Sequence, residues 1–224
     1  MGPMPTDTGS ANAPRSRRGA ETRARLLEAA KAVFEEMGFH EARIMDITRR
    51  AGVSHGAFYH YFDSKEDIFR EVAAALDDVL STGMKIIQDS SSAATPRERL
   101  TAAIRAHFET YRKEAQIMSV VEQVSRYDAQ VDEIWSRLHL RYGKEVADSI
   151  AQLQRHGLAD PTLDPTVTAA ALGAMTWRFA ERWLVRGYPE CDFDTGVEQI
   201  TRIFINALRL EDPRQPDLQT AEAG

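Results

Sequence analysis

The chain has 224 residues, 43% of them hydrophobic, which suffices for the core of one large or two modest domains. A net charge of −6 argues against nucleic-acid binding by the chain as a whole, and a single cysteine excludes an internal disulfide. No apolar run approaches the roughly 18 residues of a membrane span, and no signal peptide is recognisable. We therefore expect a cytoplasmic protein without a membrane partner.

The charge is unevenly distributed along the chain. Residues 15–70 contain 11 Lys or Arg and 9 Asp or Glu, so this part is basic while the remainder is acidic. Residues 1–18 are poor in large apolar side chains and rich in Pro, Ser, Gly and Ala, which predicts a flexible basic arm. Its Arg15, Arg17 and Arg18 have two interpretations that remain open, an additional contact to DNA or a solvated run of charge.

Three short helices are predicted after the arm. An apolar stripe that begins at Leu26 predicts a helix over residues 21–37, and Gly38 ends it. A second helix is predicted over residues 43–51, after which Gly52 permits a tight turn. Ser54 is placed to cap the N-terminus of the third helix with its hydroxyl.

Further helices fill the rest of the chain. Ser64 and Asp67 form a capping signal for a fourth helix that continues to residue 87, and Pro96 suits the first turn of a fifth. The later helices are predicted over residues 96–113, 115–124, 128–154, 166–185 and 193–208. No alternating strand pattern of useful length is found, so the fold class is all-α with about nine helices.

The second and third helices have the spacing of a helix-turn-helix, in which the later helix lies in the major groove of DNA. Phe58 and Phe62 are four residues apart and are expected to pack on the first two helices. Arg43 and Lys65, at the starts of the flanking helices, are predicted phosphate contacts. The opposite face of the third helix is then left for DNA, and it carries His55, Gly56, Ala57, Tyr59 and His60.

The segments TRARLLEAAKAVFEEMGF and ITRRAGVSHGAFYHYFDSKEDIF resemble the N-terminal domain of the TetR family of transcriptional regulators, over about residues 22–69. Ala42 and Arg43 stand where the family often has Thr-Thr, and Met45 stands where a polar residue is common. The resemblance implies these DNA-contacting positions: Arg43, Met45, His55, Gly56, Ala57, Tyr59, His60 and Lys65.

The resemblance also implies a domain plan and a function. The plan is a helix-turn-helix domain over residues 19–66 and a ligand-binding and dimerisation domain over residues 67–210, between the flexible arm over residues 1–18 and a flexible tail over residues 211–224 that composition predicts. The implied function is that of a homodimer on a palindromic double-stranded DNA operator, usually a repressor released by a small-molecule effector. A helical enzyme or a protein-binding module with the same fold and no operator remains the alternative.

The predicted helix over residues 166–185 is apolar around much of its circumference. Leu172, Thr176 and Trp183 lie on one stripe and Trp177 and Leu184 on a second, so the helix is expected to be buried on two sides. A twofold partner is expected to cover the second side. The last helix joins this seam through Val197, Ile200, Phe204 and Ala207.

Met and aromatic residues on the middle helices suit a cavity for an apolar effector. The same residues at helical spacing are also typical of an ordinary core. Arg178 and Arg182 lie one turn apart and have two interpretations, of which pairing with carboxylates at the dimer edge is favoured over binding the acidic end of an acyl-type effector. The predicted ligand-binding residues are Phe108, Tyr111, Met118, Val121, Glu122, Trp135, Trp177 and Arg178, with His107, Gln123 and Arg126 as further polar candidates.

Signatures of enzymes, cofactor sites and metal sites were searched for in the sequence. No H-E-x-x-H, paired C-x-x-C, G-x-S-x-G, P-loop or G-x-G-x-x-G occurs, and no His has a Glu three residues before it. We therefore expect no enzymatic activity, no cofactor and no metal.

Overall fold

The computed structural model describes residues 17–80 and 94–211, and within them it contains α-helices and no β-strand. This confirms the all-α class. A π-helical turn, Glu181–Val185, continues α7. The eight α-helices of the described residues are α1 Arg17–Glu41, α2 Ile44–Ala51, α3 His55–Phe58, α4 Lys65–Leu80, α5 Pro96–Ser125, α6 Ala129–Arg155, α7 Pro165–Ala180 and α8 Phe193–Leu208.

These helices form two compact units. The first unit contains the described residues up to Ala75 together with Gln116–Trp135, and the second contains the described residues of Leu76–Ala115 and of the chain after Ser136. The first unit thus adds the end of α5 and the start of α6 to the predicted helix-turn-helix domain. The predicted tail and the predicted end of the fourth helix lie largely outside the described residues.

The first unit is built around a cluster of aromatic rings. Phe34 meets Phe69 edge to face at a centroid distance of 5.0 Å, and Phe39 lies 4.8 Å from Phe69. Gly38, with φ 73° and ψ 168°, interrupts the helical backbone of α1 near the residue where the sequence predicts its end. The left-handed φ is accessible to glycine because it has no Cβ.

A part-buried ion pair links α4 to the start of α6 within the first unit. Arg70 Nη2 donates to Asp128 Oδ2 at 3.1 Å, while Asp128 Oδ1 accepts from the main-chain N–H groups of Gln130 and Val131. Burial alone would raise the pKa of Asp128, but these hydrogen bonds and the guanidinium hold it below its ordinary value. Asp128 therefore serves both as the cap of α6 and as its tie to α4.

Two helix boundaries differ from the sequence prediction. The predicted break between residues 113 and 115 is wrong, because α5 runs without interruption from Pro96 to Ser125. No Gly or internal Pro stands in that stretch, and Lys113, Glu114 and Ala115 all favour helix. At the N-terminus, Arg17 and Arg18 belong to the first turn of α1, where Arg17 pairs with Glu21 at 3.1 Å.

Capping side chains define the starts of the helices in the second unit. Thr95 and Glu98 form a reciprocal capping box at α5, and hydrogen bonds from Thr95 lower the pKa of Glu98. Asp164 accepts from Val167 N at 2.9 Å at the start of α7. Asp192 accepts from Thr195 N at 2.9 Å at the start of α8.

Candidate nucleic-acid interface and internal cavity

The turn between α2 and α3 is closed by backbone geometry and by one arginine. Gly52 ends α2 in the left-handed region, with φ 65° and ψ 39°, as the sequence predicts. Arg25 of α1 donates to the carbonyl oxygens of Ala51 and Gly52. Ser54 then caps α3 by accepting from Ala57 N at 3.2 Å, so the orientation of α3 is held from both sides.

The two faces of α3 and the turn after it divide as predicted. The side chains of Phe58 and Phe62 are fully buried, with ring centroids 5.7 Å apart. On the other side His55 and His60 are exposed, and half of Tyr59 is accessible to solvent. The exposed face therefore offers imidazole and phenol groups that can hydrogen-bond to base edges or phosphate oxygens.

Two residues with short side chains, Gly56 and Ala57, lie on the exposed face of α3. A Cβ added at Gly56 would meet nothing within 4 Å, so the packing of this unit does not require glycine at that position. Ala57, next to it, is half-buried. A helix surface with such short side chains can approach the floor of a groove closely.

The start of α2 presents one basic and one apolar side chain. Arg43 lies at the N-cap in an extended conformation and is exposed. Within residues 17–80 and 94–211 its guanidinium makes no ion pair or hydrogen bond. Met45 is 63% exposed, although it is apolar. Arg43 is thus available to an external anion, while Met45 can offer only an apolar contact.

The ammonium group of Lys65 makes hydrogen bonds that were not predicted from the sequence. Its Nζ donates to the carbonyl oxygens of Phe39, His40 and Ala42 at 2.7, 3.3 and 3.0 Å. The same Nζ lies 4.5 Å from the centroid of the Phe39 ring. Lysine has three ammonium hydrogens, so a phosphate contact by Lys65 would have to replace one of these bonds.

A groove of about 490 Å³ runs beside the helix-turn-helix in the first unit. Arg18 and Thr22 of α1 line one side of it, and Ser54, Ala57 and His60 line the other. Arg18 lies in the predicted arm by its position in the sequence. Its place on the first turn of α1 puts an exposed cation on the same groove as the exposed face of α3.

The predicted ligand-binding residues are divided between the two units. Phe108, Tyr111, Trp177 and Arg178 belong to the second unit, whereas Met118, Val121, Glu122 and Trp135 belong to the first. Most of them are buried in helix packing: Phe108 lies 5.9 Å from Phe179, and Tyr111 lies 5.3 Å from Trp177.

Arg178 also has a role within the chain. It is exposed and forms an ion pair with Glu181. Arg186 pairs with the same carboxylate at 2.9 Å. Burial would raise the pKa of Glu181, but the two guanidinium groups hold it below its ordinary value. Arg178 therefore faces solvent beside a carboxylate and lines none of the cavities described here.

The second unit encloses a small apolar cavity of about 60 Å³ between α5, α6, α7 and α8. Of the polar ligand-binding candidates predicted from the sequence, only His107 lines this cavity. The α6 residues that line it were not predicted, because nothing in their sequence pattern distinguishes them from ordinary core residues. The remaining walls are formed by Leu100, Ala103, Ile104, Tyr142, Val146, Ser149, Ile150, Leu153, Leu172, Thr176, Phe204 and Leu208.

His107 is the unusual group in this cavity wall. Its Nε2 is buried and has no hydrogen-bond partner within the described residues. Burial lowers the pKa of His107 to about 4, so the ring is neutral at pH 7. Tyr142 lies beside it at a ring distance of 6.0 Å, and burial, aided by Glu145, raises the pKa of Tyr142 to about 12.

Metal-binding clusters and membrane-spanning helices are absent from the described residues. No group of three or more His, Cys, Asp and Glu side chains there could hold a metal ion. No helix in residues 17–80 and 94–211 has the length and apolar character needed to cross a membrane.

The helix-turn-helix and its exposed polar face define the class, a DNA-binding regulator. Residues 26–72 match the model of the bacterial regulatory proteins of the tetR family, and residues 100–209 match the C-terminal domain of the transcriptional regulator EthR. The chain is 30% identical over 184 residues to the HTH-type transcriptional repressor KstR2 of Mycobacterium tuberculosis, covering 81% of this chain and 90% of that relative. The chain belongs to the TetR family and is a DNA-binding transcriptional regulator.

Solved structures show the same fold. A transcriptional regulator from Saccharomonospora viridis, in complex with choline, matches with a TM-score of 0.73 at 23% identity, over 87% of this chain and 100% of that one. FadR from Bacillus subtilis, in complex with stearoyl-CoA, matches with a TM-score of 0.67 at 19% identity, over 83% and 98% of the two chains.

Proposed function

We propose that the protein is a cytoplasmic, homodimeric repressor that binds a palindromic operator in double-stranded DNA and leaves it when a small molecule binds to the second unit. The exposed polar face of α3 carries the DNA-binding part of this proposal. Repression is favoured by the likeness to KstR2, which is named as a repressor. Release by a small molecule is favoured by the complexes of the two structural neighbours with stearoyl-CoA and choline.

The proposed DNA contacts follow from exposure and chemistry. Tyr59, His55 and His60 face solvent together, and the short side chains of Gly56 and Ala57 let them reach a groove. Around this face, Arg43, Met45 and Lys65 are proposed to approach the DNA backbone. For Lys65 this requires an exchange of one carbonyl partner for a phosphate oxygen.

A dimer is proposed from the surface of α7 and α8. On α7, Val167 is 68% exposed, and Ala170, Ala171 and Ala174 are exposed as well. On α8, Ile203 is 44% exposed. These residues form an apolar helix surface with small side chains, of the kind that a twofold partner covers.

Two of the four α8 residues that the sequence predicts for this dimer seam are not at the surface. Val197 and Ile200 are buried in their own subunit, with 1% and 3% of their surface exposed. They are therefore unavailable to a partner. Ala207 is exposed and Phe204 is half-buried. The side of α8 proposed to face a partner therefore carries Ile203 and Ala207 in place of Val197 and Ile200.

The DNA-binding proposal is tested with a duplex selected by the protein from a random pool. Tyr59→Ala should weaken binding to that duplex about tenfold or more, because it removes a hydrogen bond to a charged or polar DNA group. Tyr188→Ala is the matched control, since Tyr188 is also an exposed tyrosine but lies in the second unit. Wild-type affinity should fall steeply as salt rises. Equal affinity of both variants and the wild type would refute the assignment of α3.

The dimer is tested by sedimentation. Ala174→Arg places a charge on the exposed surface of α7 and should convert dimers to monomers, with loss of affinity for the two-half-site duplex. Ala102→Arg, at an exposed position of α5, should leave both properties unchanged. A wild-type protein that sediments as a monomer while bound to the duplex would refute the dimer.

A further inference from the structure

The cavity between α5, α6, α7 and α8 has walls that are almost entirely apolar. The hydroxyls of its Ser149 and Thr176 are already used, since they donate to the carbonyl oxygens of Glu145 at 2.9 Å and Leu172 at 2.7 Å. None of the described residues that line the cavity has a charged side chain at pH 7. A ligand here meets hydrocarbon on nearly every side.

One fully buried polar atom of the described residues in these walls lacks a partner. Nε2 of His107 is buried and makes no hydrogen bond within the described residues, while only 7% of the surface of His107 is exposed. A buried nitrogen without a partner is costly, and a bound group that supplies the hydrogen bond recovers that cost. Among the described residues of these walls, Nε2 of His107 is thus the buried polar atom that a ligand can satisfy, beside the hydroxyl of Tyr142.

A wider groove borders the cavity. Leu100, Ser149, Leu153 and Leu208 line both the cavity and a groove of about 300 Å³ that reaches Leu210 near the chain's described end. Small-molecule sites commonly measure about 300–1,000 Å³. The cavity alone, about 60 Å³, is smaller than that, whereas the groove beside it reaches the lower end of the range.

We propose that the cavity and the bordering groove act as one site, which binds a neutral, largely apolar molecule whose single hydroxyl or carbonyl oxygen hydrogen-bonds to Nε2 of His107. The apolar part of the ligand lies against Leu100, Leu153 and Leu208, which line both the cavity and the groove, and extends into the groove. As the effector site of the proposed repressor, it rests on the proposed function. A neutral imidazole nitrogen pairs with an uncharged oxygen, and a hydroxyl suits either tautomer because it both donates and accepts.

The cavity disfavours the acidic group expected from Arg178, and the cation that lines the groove, Arg99, donates to the carbonyl oxygen of Ala94 at 2.6 Å. A carboxylate inside the cavity would lose its hydration without gaining a cationic partner, which is strongly unfavourable. Arg178 is exposed and already paired with Glu181, and it lines neither the cavity nor the groove.

The test uses 1-octanol and octanoate as matched probes, titrated at pH 8 into the full-length protein without DNA. Calorimetry should detect binding of 1-octanol, with octanoate at least tenfold weaker. His107→Phe keeps an aromatic ring but removes the hydrogen bond, and should weaken 1-octanol binding about three- to tenfold. Equal binding of the two probes, or no binding of 1-octanol because only water fills the cavity, overturns the proposal.

A second pair of variants locates the binding. Ala103 lines the cavity, whereas Ala102, its neighbour on α5, is exposed. Ala103→Leu should fill the space and abolish 1-octanol binding, while Ala102→Leu should bind as the wild type does. Wild-type binding by Ala103→Leu contradicts the location, and the melting temperature of each variant shows whether it is folded.

Failure of this inference is separable from failure of the proposed function. The 1-octanol titrations contain no DNA, so they test the site alone. Affinity for the selected duplex is then measured with and without saturating 1-octanol. Site-specific binding with no change in duplex affinity rejects the proposed release mechanism and leaves the ligand site established, because coupling between two sites must be reciprocal.

Discussion

Lowering the pH from 8 to 5 should destabilise the second unit, because His107 is buried there without a partner for Nε2. Burial lowers the pKa of His107 from 6.5 to about 4, so at pH 5 the folded ring is neutral while the unfolded chain takes up a proton. A folded pKa below the unfolded one means that stability is complete above about pH 6.5 and is lost as the pH falls toward 4. Since one pKa unit is worth about 1.4 kcal/mol, the loss between pH 8 and pH 5 is about 2 kcal/mol.

Urea unfolding at several pH values between 8 and 5 measures this loss, with tryptophan fluorescence as the signal. Trp177 and Trp183 both lie in the second unit and report on it. His107→Phe should remove about 2 kcal/mol of the pH dependence. Tyr142→Phe is the control in the same cavity wall, because the pKa of Tyr142 is raised to about 12 and its hydroxyl stays neutral throughout. An identical pH dependence in His107→Phe and the wild type would refute the reasoning.

Three further substitutions test the packing and the caps. A Cβ at buried Gly196 would overlap the ring of Trp183, so Gly196→Ala should lower the free energy of unfolding by about 1–3 kcal/mol in urea titrations. Ser54→Ala removes the cap of α3 and should cost about 1 kcal/mol of stability, with a matching loss of duplex affinity in an anisotropy titration. Asp128→Ala should cost about 2 kcal/mol and Asp128→Asn about 1, because asparagine keeps the cap and loses only the ion pair with Arg70. Equal losses of stability for the two Asp128 variants would contradict the separate contributions of the cap and the ion pair. Unchanged stability of Gly196→Ala or of Ser54→Ala would contradict the prediction for that variant.

The helix-turn-helix could be predicted because its signals are local. The two faces of α3 follow from the helical period, which places Phe58 and Phe62 on one side and Tyr59 on the other. Gly52 and Ser54 act on their own turn of backbone, so their roles can be recognised from residue type and position. The predicted break in α5 is wrong because no residue near position 114 opposes helix.

Two features that could not be predicted depend on residues far apart in the chain. Lys65 donates to carbonyl oxygens 23 to 26 residues earlier, and its charge alone suggested only an exposed contact to DNA. Val197 and Ile200 have the pattern of a helix stripe, but the pattern does not say whether their own subunit or a partner covers them.

By itself, the amino-acid sequence determined the helical class, the family and the DNA-facing side of α3, because helical periodicity, caps and turn residues act over a few neighbouring positions. The tertiary structure decided which polar groups remain available to a ligand. His107 is an ordinary histidine on a helix until four helices enclose it, since only packing removes the water that would otherwise satisfy Nε2. The apolar walls around it come from positions as distant as Leu100 and Leu208, and no local pattern brings those together.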